Sequence, residues 1–181
     1  MRFEIDEFMS ELNSISRVAV IENATLTERM LFCYSTLMKY KWKNEGKSVI
    51  ADNEMKNLLK LCELYDIKYN NKYAYSLKSK IDLKSIFIPH YSIIGVVEHM
   101  EQQAAKEGVS LELKISIYDL DNKTHIKIKL ISPKRYNMKE ILREDNSEEY
   151  CDIRQCIYRW KNTFGDKTVQ MKENEILFHL T

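Results

Sequence analysis

The chain has 181 residues, of which 44% are hydrophobic and 30% charged, with a formal net charge of +1. That composition is ordinary for one packed domain, or one small domain with an appendage, and the near-neutral charge favours no nucleic-acid partner. Only 4 Gly and 2 Pro occur, which leaves little material for a flexible linker or for a glycine-rich loop that closes its backbone on phosphate.

Residues 3–21 read as a first helix, with Phe8, Leu12, Ile15, Val18 and Ala19 making one apolar stripe at spacings of three and four. Nothing in this stretch has the form of a signal peptide, and no segment of the chain is apolar for the roughly 18 residues that would suggest a membrane span. Glu22-Asn23-Ala24 is a turn, and Thr25-Leu26-Thr27-Glu28 has the form of a capping box opening a second helix that ends near Trp42. Two helices on a short connection predict an antiparallel hairpin. One hairpin leaves its stripe half covered, so a homodimeric four-helix bundle is expected through residues 3–21 and 25–42.

The polar stretch from Lys43 to Ser48 contains one of the rare glycines and sets the boundary between a hairpin domain, 1–44, and a second domain, 45–181. A third helix is expected from Asp52 to about Tyr69, burying Met55, Leu58, Leu59, Cys62 and Tyr65. Residues 73–80 alternate as a strand. A fourth helix follows Pro89 and carries Ile93, Ile94, Val96, Val97 and Met100, with His90 and His99 nine apart and out of phase on it. Residues 111–118 and 125–131 alternate strictly around Asp121-Asn122, the sign of a hairpin. A charged stretch over 138–152, a helix over 153–163 and a closing hairpin around Glu173-Asn174 complete the chain. Cys33, Cys62, Cys151 and Cys156 are scattered without a C-x-x-C pair and read as reduced packing thiols. The fold class is α+β: a helical hairpin, then an α/β sandwich with helices on one face of a mixed, mostly antiparallel sheet.

Several segments in this order resemble the LytS/YesM type of sensor histidine kinase. The run from Lys39 to Lys47, then Val49, Glu54-Met55 and the run from Leu61 to Tyr65, is similar to the family's link between dimerisation hairpin and ATPase domain. Asn13-Ser14-Ile15-Ser16-Arg17 resembles the end of its first-helix motif. Ile88-Pro89 with Val97-Glu98 looks like the approach to its N-box helix, and Phe164-Gly165-Asp166 looks like the start of its closing hairpin. The resemblance implies a Bergerat-type ATPase fold of the GHKL class behind a dimerisation hairpin, in the cytoplasm or as the cytoplasmic segment of a membrane-anchored sensor.

The departures from the family pattern are as ordered as the matches. Asp6 falls where the family has its phosphoacceptor histidine, and the first helix contains no histidine, so a phosphoramidate cannot form there. His99 follows Val97-Glu98 where the family has a magnesium-binding asparagine, and imidazole is a poorer ligand than oxygen for that ion. Ser132-Pro133-Lys134-Arg135 replaces the family's adenine-reading aspartate and first glycines, and Tyr150-Cys151-Asp152-Ile153-Arg154 replaces its second glycine box, keeping Arg154. The resemblance therefore implies a degenerate nucleotide site of Glu98, His99, Ser132, Asp152 and Arg154, with no catalytic residue, no metal and no cofactor. The expected role is a dimeric pseudokinase that acts as adaptor or regulator for a response regulator or a partner kinase. The alternative is a divergent active kinase or phosphatase that uses Mg·ATP.

Each of these residues also has a plainer reading. Asp6 suits a solvated carboxylate near a helix N-terminus, His99 a surface or pocket-rim histidine, and Glu98 a structural carboxylate. Lys134, Arg135, Lys139 and Arg143 suit a solvated loop as well as a phosphate or an acidic partner. His125 and His179 are expected to do no chemistry.

Overall fold

The computed structural model describes residues 2–43, 46–69, 73–106, 112–131, 151–172 and 175–180. Helix α1 (Arg2–Ile21) and helix α2 (Thr25–Lys43) form the hairpin. The chain reverses at Asn23, whose φ is +55°, and the rings of Phe8 and Trp42 meet edge to face at 5.8 Å, so the helices run antiparallel. The α1 stripe divides. Leu12 and Ala19, joined by Met9, are buried, whereas Ile15 and Val18 are each 51% exposed. Thr25 is the first helical residue of α2 rather than the residue before it, so the expected capping box is shifted out of register.

Strand β1 (Ser48–Ile50) leads directly into helix α3 (Ala51–Lys68). This helix buries Met55, Leu58, Cys62 and Tyr65 as its spacing predicts, together with Leu61 and Glu54. Leu59, expected in the same set, is exposed, because it lies a quarter-turn beyond Leu58 on the outer side. Strand β2 (Ala74–Ser79) follows, then a 3-10 turn (Leu83–Ser85), strand β3 (Phe87–Pro89) and helix α4 (Ser92–Lys106). The sequence pattern does not reveal the β1–β3 pair. It is antiparallel, with Val49 opposite Ile88, and each strand has only three residues, too few to show a period.

Strands β4 (Glu112–Leu120) and β5 (Lys123–Ile131) form the expected hairpin. Asp121 and Asn122 both take positive φ, +52° and +59°, as a two-residue turn matched to strand twist requires. Helix α5 (Cys151–Phe164), a 3-10 turn (Asp166–Thr168) and the strands β6 (Val169–Lys172) and β7 (Glu175–Leu180) close the described chain. Gly165 turns the chain out of α5 with φ +102°, which favours glycine. The main sheet has the order β2-β4-β5-β7-β6. Among the described strands only the β2–β4 pair is parallel, with α4 supplying the crossover that such a pair needs.

One core runs through the molecule. Leu113, Ile115 and Ile117 of β4, Ile126 and Ile128 of β5, and Ile176 and Phe178 of β7 share it with α3, α4 and α5, and Leu37 and Tyr40 of α2 belong to it as well. The other sheet face is mostly polar and charged, with Leu120, Ile131 and Leu177 among its lysines and hydroxyls. The architecture is thus mixed α/β, with helices on one face of a mostly antiparallel sheet.

Candidate functional site

Helix α4 is the central element, because from His90 to Glu101 every residue except Glu98 is buried. Its N-terminus presents backbone N–H groups that no carbonyl of its own helix can satisfy. Glu54 of α3 satisfies them. Its carboxylate, fully buried, accepts from the backbone N–H of Tyr91 at 3.1 Å, Ile93 at 3.1 Å and Ile94 at 3.2 Å. It also accepts from the Tyr40 hydroxyl of α2. Burial pushes this carboxyl above its ordinary range, and the four donors offset only part of that rise. The positive end of the helix dipole favours the anion at the same place.

Further contacts tie α2 to this point. His90 Nε2 lies 2.8 Å from the Tyr40 carbonyl oxygen, a bond that places the proton on Nε2. The Tyr40 and His90 rings are 4.6 Å apart. From α5, the Cys156 thiol donates to the Tyr91 carbonyl at 3.3 Å. Tyr91 itself has φ +60°, a conformation that a bulky side chain adopts only when its surroundings hold it there. This junction of Tyr40, Glu54, His90 and Tyr91 is absent from the sequence-based site. One signal could have found it: Glu54 lies in phase with Leu58, Leu61 and Cys62 on the buried side of α3.

Of the residues expected at a nucleotide site, Glu98 is half-buried one turn and more along α4. It accepts from the Tyr91 hydroxyl at 3.0 Å and lies 3.8 Å from Lys41 Nζ, which itself stands 4.9 Å from the centre of the Tyr91 ring. His99 is only 4% exposed, which corrects the expectation of a surface or pocket-rim position. The reason is the central placement of α4, which leaves a histidine next to Glu98 no solvent side. His90 is buried too and precedes the helix rather than belonging to it. Arg154 is half-buried on α5, and Asp6 is exposed on α1. Asp152 lies in the first turn of α5, but its side chain, Ser132, Lys134, Arg135, Lys139 and Arg143 lie outside the described residues. Among the described residues no group of three or more His, Cys, Asp or Glu is placed to hold a metal ion, and no helix is long and apolar enough to cross a membrane.

The fold is that of histidine kinase catalytic domains. The histidine kinase AdeS of Acinetobacter baumannii superposes with a TM-score of 0.51 at 12% identity, over 90% of this chain and 82% of that one. A nucleotide-free catalytic domain of histidine kinase ThkA gives 0.51 at 13% identity, over 74% of this chain and 93% of that one. No protein-family model matches the sequence, and no curated protein matches it. At these identities the likeness establishes the fold and leaves the activity to be argued from the residues.

Proposed function

We propose that the chain is a histidine-kinase-like module without phosphoryl transfer, a dimeric adaptor that regulates a response regulator or a partner kinase. The observation that carries this reading is the state of Glu98. In the LytS/YesM pattern this acid serves near the phosphates. Here the Tyr91 hydroxyl donates to it at 3.0 Å and Lys41 Nζ stands 3.8 Å away, so its oxygens are already engaged by the chain's own side chains. Next to it, the position where that pattern places an oxygen ligand for magnesium holds a buried imidazole. Asp6, at the phosphoacceptor position, offers no nitrogen to phosphorylate.

Dimerisation through the hairpin draws support from its uncovered side. Ile15, Val18, Ile21 and Leu26 are 51%, 51%, 78% and 61% exposed, a row of aliphatic side chains that water penalises and a second hairpin would cover.

Titration calorimetry with Mg·ATP and Mg·ADP to millimolar concentration is the test. The expected result is no saturable heat and no thermal stabilisation. Micromolar binding would refute the reading and replace it with a nucleotide sensor or a divergent active kinase.

A further inference from the structure

The open face of the main sheet is not a random polar surface. Strand register sorts its side chains into rows that run across the strands. One row is aromatic: Tyr118 of β4, His125 of β5 and His179 of β7 are direct cross-strand partners. Tyr118 stacks on His125 with rings 5.3 Å apart and 7° from parallel, and His179 meets His125 edge to face at 4.6 Å, so His125 is buried between two half-buried rings. The next row is Lys78, Ser116, Lys127, Leu177 and Gln170, and the one after it is Ser76, Lys114, Lys129, Glu175 and Lys172. With Lys123 and Glu112 added, this face carries six lysines and two glutamates, a surplus of four positive charges on a chain whose net charge is +1.

Two features argue that these lysines are there for a partner. Lysines that protect a sheet from aggregation belong on its edges, yet Lys114, Lys127 and Lys129 stand on the inner strands β4 and β5. Lys129 also stands directly across the ladder from Lys114, and because Glu112 is taken up by Lys114 the charge of Lys129 is left for a partner. Glu112 and Glu175 neutralise Lys114 and Lys127, at 2.8 and 2.7 Å. Lys78, Lys123, Lys129 and Lys172 have no carboxylate within ion-pair distance among the described residues.

We propose that this face binds single-stranded nucleic acid, its lysine rows following the phosphates and Tyr118 and His179, the half-buried ends of the aromatic row, stacking bases. A sheet face that combines a cationic track with stacked aromatic rings has the two elements that sequence-tolerant binding of single strands uses. An acidic protein would use the lysines but has no need of the aromatic row, and that difference separates the two partners experimentally. The whole-chain charge conceals the face, because the balancing acids lie elsewhere. The inference does not depend on the adaptor reading.

The test is fluorescence anisotropy of the full chain with a labelled oligouridylate of about 12 nucleotides, a length within the range that single-strand sites span, between about 50 and 200 mM salt. Saturable binding that weakens with salt is expected. The double substitution Lys78→Glu, Lys129→Glu lowers affinity about tenfold or more and flattens the dependence of log affinity on log salt by about 0.7 for each phosphate that is no longer neutralised. Tyr118→Ala weakens binding about tenfold while the salt slope stays unchanged. Circular dichroism melts check that each variant folds. Absence of saturable binding, or affinity that survives the lysine reversals in a folded protein, overturns the proposal. So does tighter binding of a poly-glutamate peptide that ignores Tyr118→Ala, since that result gives the face to an acidic protein.

Discussion

Glu54 concentrates more hydrogen bonds than any other described carboxylate, and its loss exposes several buried donors at once. Glu54→Ala strands three backbone N–H groups and the Tyr40 hydroxyl. Each unsatisfied buried donor costs about 1–3 kcal/mol, so the variant is expected to lose roughly 3 kcal/mol or more, read as a lower midpoint in urea. Glu54→Gln keeps one acceptor oxygen and loses less. A variant of unchanged midpoint would show that the network adds nothing to stability. A second residue-scale test concerns packing. A Cβ added to Gly95 lands 2.5 Å from the Cys156 sulfur. Gly95→Ala therefore destabilises by about 1–3 kcal/mol, as overpacking does. The pair Gly95→Ala, Cys156→Ala recovers part of that loss in a double-mutant cycle, and purely additive effects would remove the steric explanation. The sequence exposed Gly95 as one of few glycines but could not show why it is small, because the reason sits far along the chain on α5.

At the scale of elements, the regular pieces were legible and the irregular ones were not. Long periodic segments declared themselves: α3, α5 and the β4–β5 hairpin with its Asp121-Asn122 turn follow directly from spacing. The three-residue strands β1 and β3 and the buried polar residues of α4 did not, since their environment comes from tertiary packing. That environment has consequences for pH. On α4, burial raises the Glu101 carboxyl to about 7, against a pull downward from the Tyr73 hydroxyl and the Lys68 ammonium. The folded protein then holds a proton over the range from 4.5 to about 7 in which the unfolded chain has released it. The stabilisation is complete below that range and disappears as the pH rises through about 7. On β7, burial lowers His179, helped by His125 and Lys123. There the unfolded chain takes up the proton first, so stability falls as the pH drops through the range below 6.5. The two groups oppose each other, and single variants separate them. Glu101→Gln is expected to abolish the loss on the alkaline side, and His179→Phe the loss on the acid side, in urea midpoints measured from pH 5 to 8. If either variant keeps the wild-type slope, the corresponding group is not its source.

For the whole molecule, the question is whether hairpin and sandwich are two domains or one unit. Sequence composition places the boundary at residues 44–45, where the chain turns polar. The packing places α2 on both sides of it. Its outer half, with Leu26 and Phe32, is exposed, while Leu37 and Tyr40 join the common core and Arg29 reaches Glu63 of α3 at 3.0 Å. A polar linker marks where a chain bends, and the core marks what folds together. The two need not coincide. Shortened chains distinguish them. A chain beginning at Ala24 loses α1 and the proposed dimer face but keeps Tyr40 on Glu54, so it is expected to fold as a monomer with a sharp thermal transition. A chain beginning at Gly46 keeps all of the sandwich yet uncovers α3 and leaves the buried Glu54 carboxylate without its α2 donor. It is expected to melt broadly or to aggregate, as a domain does when part of its core is removed. Equal transitions for the two chains, by calorimetry, would mean that the hairpin contributes nothing to the core and that 1–44 is a separate domain. If only the longer chain melts cooperatively, whatever docks on the hairpin acts on the same folded unit that carries α4, with no hinge between them to absorb it.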